Sequence, residues 1–309
     1  MTKNNLKQRI FFFGTPEFAV PALRALLQND YNVVLVITQI DQLIGRKQIL
    51  TPTAIKVEAK MLGLEVCENL KDLRLKIETL KPDLGIVVAY GKIIPQEILD
   101  LFPLGVLNIH PSLLPKYRGP SPIQSAILNG DKETGVSIIK LDEKMDHGSK
   151  LITQNLKLKA DDNYQSLSER LAGLGAKLLV ETLPDYLAGK IRLEPQNNTE
   201  ATFCKIINKE DGKIDWQNSA DQIERQIRAY AQWPGSYTEL KSKNLKLKTA
   251  KIISAQAVES ISNLIGQLQV DNGKLYIQCG HGALLIEKLQ PEGKKEMTAK
   301  EFINGYLRD

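Results

Sequence analysis

Asn108, His110 and Asp146 are the residues of this 309-residue chain whose types and placement could do chemistry. Asn108 and His110 stand at alternate positions at the end of the apolar run Gly105-Val-Leu-Asn-Ile109. As strand residues they point to one face at the C-terminal end of the strand, the edge at which open α/β sheets bind ligands. A stiff loop follows, with Pro111 and Pro115 before Gly119 and Pro120 after it. Asp146 lies in the polar turn Asp142 to Ser149, directly after a strand expected from Gly135 to Leu141. A carboxylate that approaches His110 would orient the imidazole and favour its charged form, and the Asn108 amide offers a donor to an oxyanion. No Ser or Cys sits in an elbow such as GxSxG, so direct attack by an acceptor amine through a tetrahedral intermediate fits better than a covalent acyl-enzyme. The chemistry described is acyl transfer.

The elements that must hold these residues follow from hydrophobic patterning. Short apolar runs alternate with helix-like segments: Ile10 to Gly14, then Pro16 to Asn29; Val33 to Ile37, then Pro52 to Leu62. The pattern continues with the runs at Leu84 to Ala89 and Gly105 to Ile109. Such alternation signals βαβ units, and near-continuous apolar strands signal a sheet covered on both faces. The expected fold class is α/β, a doubly wound, mostly parallel Rossmann-like sheet. A helix is expected from Pro122 to Leu128 and a longer one from Tyr164 to Leu187. The first strand-to-helix turn, Gly14-Thr15-Pro16-Glu17, is neither GxGxxG nor a P-loop, which disfavours a nucleotide-dependent dehydrogenase or kinase.

Composition narrows the class further. No apolar run approaches the ~20 residues of a membrane span, and the net charge of +5 is a modest bias toward polyanions, short of a protein that coats nucleic acid. Cys67, Cys204 and Cys279 form no Cys/His cluster, so no metal site is expected and the thiols suit a reducing compartment. With a short polar start, Met1 to Gln8, the expected location is the cytoplasm. Residues 191–203 lack a clear period and are polar, which is linker composition. The expected domains are therefore 1–190, catalytic, and 204–309, a small C-terminal β-barrel or curled sheet that is OB-like. Within the latter, Lys241, Lys243, Lys246, Lys248 and Lys251 alternate in part with apolar residues. That pattern suits either a lysine-protected edge strand or a phosphate-contacting face.

The residues resemble the folate-dependent formyltransferases. The carriers are Phe13-Gly-Thr-Pro16, Val88-Ala-Tyr-Gly91, Asn108-Ile-His110, Ser112-Leu-Leu-Pro115, Tyr117-Arg-Gly119, Pro122-Ile-Gln124, Glu133-Thr-Gly135 and Met145-Asp146. Similarity continues through Ile214-Asp-Trp216, Ile227-Arg-Ala229, Trp233-Pro234 and Pro291 to Met297, and so spans nearly the whole chain.

The resemblance implies a formyl donor, 10-formyltetrahydrofolate, and as acceptor the α-amino group of methionine carried by initiator tRNA, with no metal, nucleotide or obligatory protein partner. It implies that Asn108 holds the formyl oxygen, that His110 stabilises charge and shuttles a proton, and that Asp146 raises the basicity of His110 and helps deprotonate the amine. It also implies folate contacts at Val88, Ala89, Tyr90 and Gly91 and at Ser112, Leu113, Leu114 and Pro115. For tRNA it points to Arg46 and Lys47, in the loop Thr38 to Lys47, and to Lys241, Lys243, Lys246 and Lys248. Two departures mark this chain: Asp146 is followed by His147-Gly148-Ser149 where the family usually reads x-Gly-Asp, and the loop before Arg46 lacks the usual prolines. The same residue types serve formyl transfer to glycinamide ribonucleotide and to sugar amines, and hydrolysis of the donor. The domain after Thr202 disfavours the first and the last of these, and a catalytically silent tRNA-binding module would retain tRNA without binding folate.

Overall fold

In the computed structural model, residues 8–45, 47–240, 249–262 and 264–307 are described. They fall into two compact units. One comprises the chain up to Pro122 with Glu133–Lys157 and Ser168–Lys205, and the other Ile123–Lys132, Leu158–Leu167 and the chain from Ile206.

The strands of the first unit are β1 (Arg9–Gly14), β2 (Asn32–Ile37), the hairpin β3 (Gln42–Ile44) and β4 (Ile49–Thr51), β5 (Val66–Cys67), β6 (Leu84–Val88), β7 (Val106–His110), β8 (Glu133–Lys140) and β9 (Lys150–Lys157). Its helices are α1 (Val20–Gln28), α2 (Ala54–Met61), α3 (Leu70–Leu80) and α4 (Gln96–Leu99), while α5 (Pro122–Leu128) and the start of α6 (Tyr164–Leu187) are assigned to the second unit. Seven strands pair in the order β5-β2-β1-β6-β7-β8-β9. The first five run parallel, as the βαβ alternation required; β8 pairs antiparallel with β7, and β9 antiparallel with β8. β1 and β6 are buried almost throughout because helices flank both faces of a parallel sheet. The chain leaves β1 for β2 on one side and reaches β6 on the other, so a crevice opens where the order reverses, at the C-terminal ends of β1 and β6.

Phe13 packs edge-on against Tyr90 at 5.6 Å between ring centroids, and Phe11 against Phe102 at 5.8 Å. Both pairs belong to the apolar layer that supports β1 and β6. The Tyr90 ring is thus part of the core, and burial pushes its hydroxyl pKa up to about 12.

Residues 191–203, expected to be a linker, lie along the first unit instead. Glu194 exchanges backbone hydrogen bonds with Lys150 at 2.8 and 2.9 Å, at the start of edge strand β9. Arg118 N donates to Thr202 O and Cys204 N donates to Arg118 O. The segment reads as aperiodic because its backbone groups pair with an edge strand and a loop, not within an element of its own.

The second unit contains α7 (Ala220–Ala229), β10 (Ser236–Thr238), β11 (Ala250–Val258), β12 (Leu268–Asp271), β13 (Lys274–Gln278), β14 (Ala283–Pro291), β15 (Met297–Thr298) and α8 (Ala299–Phe302). Its antiparallel sheet runs β10-β11-β14-β13-β12, with β15 beside β14; among the described residues no pairing of β10 with β12 closes it into a barrel. Ser219 caps α7 in a reciprocal capping box with Gln222, and Ile223 and Ile227 on one face of that helix join Ile252, Leu275, Leu284 and Phe302 in the core. The turn Asp271-Asn-Gly273 joins β12 to β13 with Asn272 and Gly273 both left-handed, as a two-residue hairpin demands.

Candidate active site

β7 ends with Asn108 and His110 facing the same way, 8% and 4% exposed, between β6 and β8. His110 lies opposite Ser137 of β8 in the antiparallel register. The sheet therefore fixes Asn108 from both sides, through Val87 of β6 and Ile139 of β8, and His110 from the β8 side. The chain then turns at once: Ser112 N donates to His110 O, the Ser112 hydroxyl donates to Lys116 O, and Ser137 Oγ both donates to Ser112 O and accepts from Leu114 N. Leu114–Pro115 is a cis peptide bond. Ser112 is wholly buried and its hydroxyl is engaged, and Leu114 is buried; Leu113 and Pro115 are the half-exposed members of this loop.

Asp146 is the point on which the site converges. Its Oδ1 accepts from Asn108 Nδ2 at 3.3 Å and lies 3.5 Å from His110 Nδ1. Its Oδ2 accepts from Gly119 N at 2.8 Å. On the far side of the ring, His110 Nε2 stands 2.9 Å from Tyr117 O, which as a carbonyl can only accept, so Nε2 carries a proton there. Nδ1, on the other side of the ring, faces the Asp146 carboxylate at 3.5 Å, longer than an ordinary hydrogen bond but within reach of its charge. Asn108 has a second amide hydrogen for which the described residues provide no acceptor. It stands at the C-terminal sheet edge, as a donor awaiting a ligand would.

The backbone around these atoms is unusual. Tyr117, Gly119 and Asp146 have φ of 60°, 115° and 49°. A left-handed residue other than glycine costs roughly 1–2 kcal/mol, so Tyr117 and Asp146 are held by their surroundings. A Cβ at Gly119 would also lie 2.5 Å from Cys204 O. Residue 119 must therefore be glycine for its N–H to reach Asp146.

The other loop at this edge follows β6. Ala89 and Gly91 are left-handed and exposed, whereas Tyr90 between them turns its ring into the core. Tyr90 O accepts from Thr15 Oγ1 and from Gln39 Nε2, each at 2.8 Å, which ties this loop to the turns after β1 and β2. A Cβ on Gly91 would meet Gln39 Nε2 at 2.5 Å. The loop thus offers a ligand its main chain at 89 and 91, not the Tyr90 ring.

Of the residues expected to touch tRNA, Lys47 is exposed in the β3–β4 hairpin, while Arg46, Lys241, Lys243, Lys246 and Lys248 lie outside the described residues. The hairpin exposes Leu43 and Leu50. Its base is anchored by Lys56 of α2, whose Nζ sits 2.6 Å from Asp41 and 2.9 Å from Glu68. Those two carboxylates hold the Lys56 ammonium above the usual lysine range. Lys251, the last lysine of the alternating run, is exposed on β11 between buried Ala250 and Ile252; it pairs with Tyr237 of β10 on one side and Gln290 of β14 on the other, so at this position the lysine does not guard a sheet edge.

Arg118 and Gln196 were not singled out as site residues from sequence, yet both are buried against Asp146's turn. Gln196 Nε2 donates to Asp146 O and Gly148 O, both at 2.8 Å. Arg118 was visible only as part of Tyr117-Arg-Gly119, and Gln196 stood in a segment of linker composition, which left no periodic signal to find it. Among the described residues no group of acidic, His and Cys side chains could hold a metal ion, and no helix is long and apolar enough to cross a membrane.

Two family models match: one described as formyl transferase over residues 7–183, and one described as formyl transferase, C-terminal domain, over 206–307. A methionyl-tRNA formyltransferase of Thermodesulfovibrio yellowstonii is 42% identical over 300 residues, 96% of this chain and 95% of that protein. Among solved structures, an N-formyltransferase from Helicobacter canadensis in complex with folinic acid and dTDP-3-aminofucose superposes with a TM-score of 0.67 at 19% identity, over 92% of this chain and 99% of that one. HypX from Aquifex aeolicus in complex with tetrahydrofolic acid gives a TM-score of 0.64 at 17% identity; 97% of this chain is covered, which spans about half, 47%, of HypX. At these identities the two structures speak for the fold alone.

Proposed function

The chain belongs to the formyltransferase family, and from that premise we propose that it formylates the α-amino group of methionyl initiator tRNA in the cytoplasm, with Asn108, His110 and Asp146 as its reaction centre. It is a formyl transferase, and its donor is 10-formyltetrahydrofolate. The observation that carries the reading is the convergence of Asn108 and His110 on one carboxylate oxygen at the C-terminal edge of β7.

The residues suit a donor bound at that edge. The uncommitted Asn108 N–H can take the formyl oxygen, and the main chain at Ala89 and Gly91 lies bare where the sheet opens. When bound, the donor supplies an electrophilic formyl carbon on a nitrogen leaving group. Asn108 then donates to the formyl oxygen as it gains negative charge, a contact stronger in the transition state than before it. Asp146 accepts a proton from the incoming ammonium, so that a neutral amine attacks. His110, gripped by Tyr117 O on one side and Asp146 on the other, supplies positive charge beside the oxyanion and returns a proton to the departing nitrogen. The new C–N bond forms to the amine and the old one breaks; of the two protons the ammonium gives up, one replaces the proton that His110 passes to the leaving nitrogen and the other is released from Asp146 to solvent.

For the acceptor, the exposed Lys47 of the β3–β4 hairpin, and in the sequence its neighbour Arg46 and the lysine run from Lys241 to Lys248, favour a polyanion. The test is competition: the chain, the donor, and methionyl initiator tRNA and a nucleotide-linked amino sugar together. Formyl label is expected on the tRNA-borne methionine. Label on the sugar alone would sink the tRNA assignment and keep formyl transfer.

A further inference from the structure

The Asp146 carboxylate is set by its own backbone, and that backbone is held from the 191–203 strap. Gln196, 8% exposed, spends both amide hydrogens on the turn: Nε2 donates to Asp146 O and to Gly148 O, each at 2.8 Å. Its Oε1 accepts from Arg118 Nε at 3.0 Å and from Arg118 Nη2 at 2.8 Å. Arg118 is 4% exposed and has no ion-pair partner among the described residues; beyond Gln196, its Nη2 reaches Asn198 Oδ1 at 2.9 Å. A buried guanidinium matched only by amide oxygens is an expensive arrangement, and it needs a reason.

The chain neighbours of Arg118 supply it. Tyr117 before it accepts a hydrogen bond from His110 Nε2 on its carbonyl, and Gly119 after it donates to Asp146 Oδ2. The contacts close a ring: Asp146 carboxylate, Gly119 N–H, Arg118, Gln196, and back to the Asp146 carbonyl. Every member belongs to the first unit. The ring joins the left-handed turn that aims Asp146 to the left-handed loop that orients His110, and Gln196 is the side chain that bridges them.

We propose that Gln196 is a positioning residue of the transfer reaction, which through Arg118 keeps Asp146 and His110 in register. The inference rests on the reading of Asp146 and His110 given above. Gln196→Glu divides the contact in two: the carboxylate still accepts from Arg118 but has lost both hydrogens that held Asp146 and Gly148. Gln196→Ala loses everything. If the side chain only fastens the strap to the unit, Gln196→Glu keeps the wild-type rate.

The experiment measures kcat, KM and hydrogen exchange of the 146–148 amides for the unaltered chain and both variants. In Gln196→Glu, kcat is expected to fall on the order of tenfold to a hundredfold with KM nearly unchanged, the cost of a misaligned catalytic group. Exchange should quicken at 146–148 and stay slow in β7. A wild-type kcat in Gln196→Glu overturns the proposal. Should the unaltered chain formylate no amine, the transfer reading falls by itself, and exchange still decides: equal protection of 146–148 in all three proteins overturns the positioning role.

Discussion

Asn108 and Asp146, 38 positions apart in sequence, meet at 3.3 Å between Nδ2 and Oδ1. The two arrive by different routes. Asn108 is placed by strand pairing on both sides of β7, whereas Asp146 is placed by a turn with a left-handed backbone whose carboxylate is shared by Asn108, His110 and Gly119. The centre is therefore rigid on one side and dependent on loop contacts on the other.

Replacing Asn108 by Ala should lower kcat by roughly a hundredfold or more, the loss typical of one oxyanion donor. His110→Ala removes proton transfer and should cost about as much or more. Both proteins should stay folded at the assay temperature, with stability lowered by about 1–3 kcal/mol because each substitution truncates a buried, hydrogen-bonded side chain. Steady-state rates with calorimetry check this; activity near wild type in either variant removes that residue from the mechanism.

Gly119→Ala should be destabilising by about 1–3 kcal/mol, because φ is 115° and the new Cβ would lie 2.5 Å from Cys204 O. The backbone shift would also draw the residue 119 N–H away from Asp146 Oδ2, so kcat should fall as well. A urea titration and a rate measurement on the same sample would show the two losses together; stability lost with kcat unchanged would separate Gly119 from the site.

Burial pushes the Cys279 thiol up to about 11 from an ordinary 9, and raises Cys67 and Cys204 in the same sense, with the Asp146 charge adding to the burial of Cys204. Each is then protonated in the folded chain at pH 8. Alkylation of Cys279 at that pH should be on the order of a hundredfold slower than in the unfolded chain, since the thiolate is the nucleophile. The sign for stability follows: a thiol whose pKa is raised by folding contributes fully below its unfolded value, and for Cys279 that contribution is lost as pH climbs from about 9 to about 11. Mass spectrometry after timed iodoacetamide treatment measures the first effect, and urea midpoints across that pH range the second.

Arg46→Ala should weaken use of methionyl-tRNA and spare a small free amine. Lys56→Met should do the same in lesser degree, because it releases Asp41 and Glu68 at the base of the hairpin that carries residue 46. Comparing kcat/KM for the two acceptors is decisive, and equal loss with both would argue against a tRNA role for the hairpin.

Much of the first unit could be read from the sequence because strands buried on both faces are written in unbroken apolar residues. β1, β2, β6 and β7 fall where those runs stand. β9 escaped notice: as an edge strand it carries Lys150, Thr153, Gln154 and Asn155 and has no apolar run. The hairpin β3–β4, three residues a side, is too short to show a period. Asn108 and His110 were legible from alternation in a strand. Asp146 was legible as a carboxylate in a turn, but not the left-handed backbone that aims it. Gln196 could not be found from local pattern, since its role depends on where a segment of linker composition docks.

The central claim is that the Asn108–His110–Asp146 centre moves a formyl group onto a tRNA-borne amine. Single-turnover transfer of labelled formyl from 10-formyltetrahydrofolate to methionyl initiator tRNA, run side by side with the unaltered chain and Asp146→Ala, tests it most directly. The expected result is formyl-methionyl-tRNA from the unaltered chain, formed at least about a hundredfold more slowly by the variant while donor and tRNA binding persist. No formylated tRNA from the unaltered chain, or an undiminished rate from the variant, would contradict it.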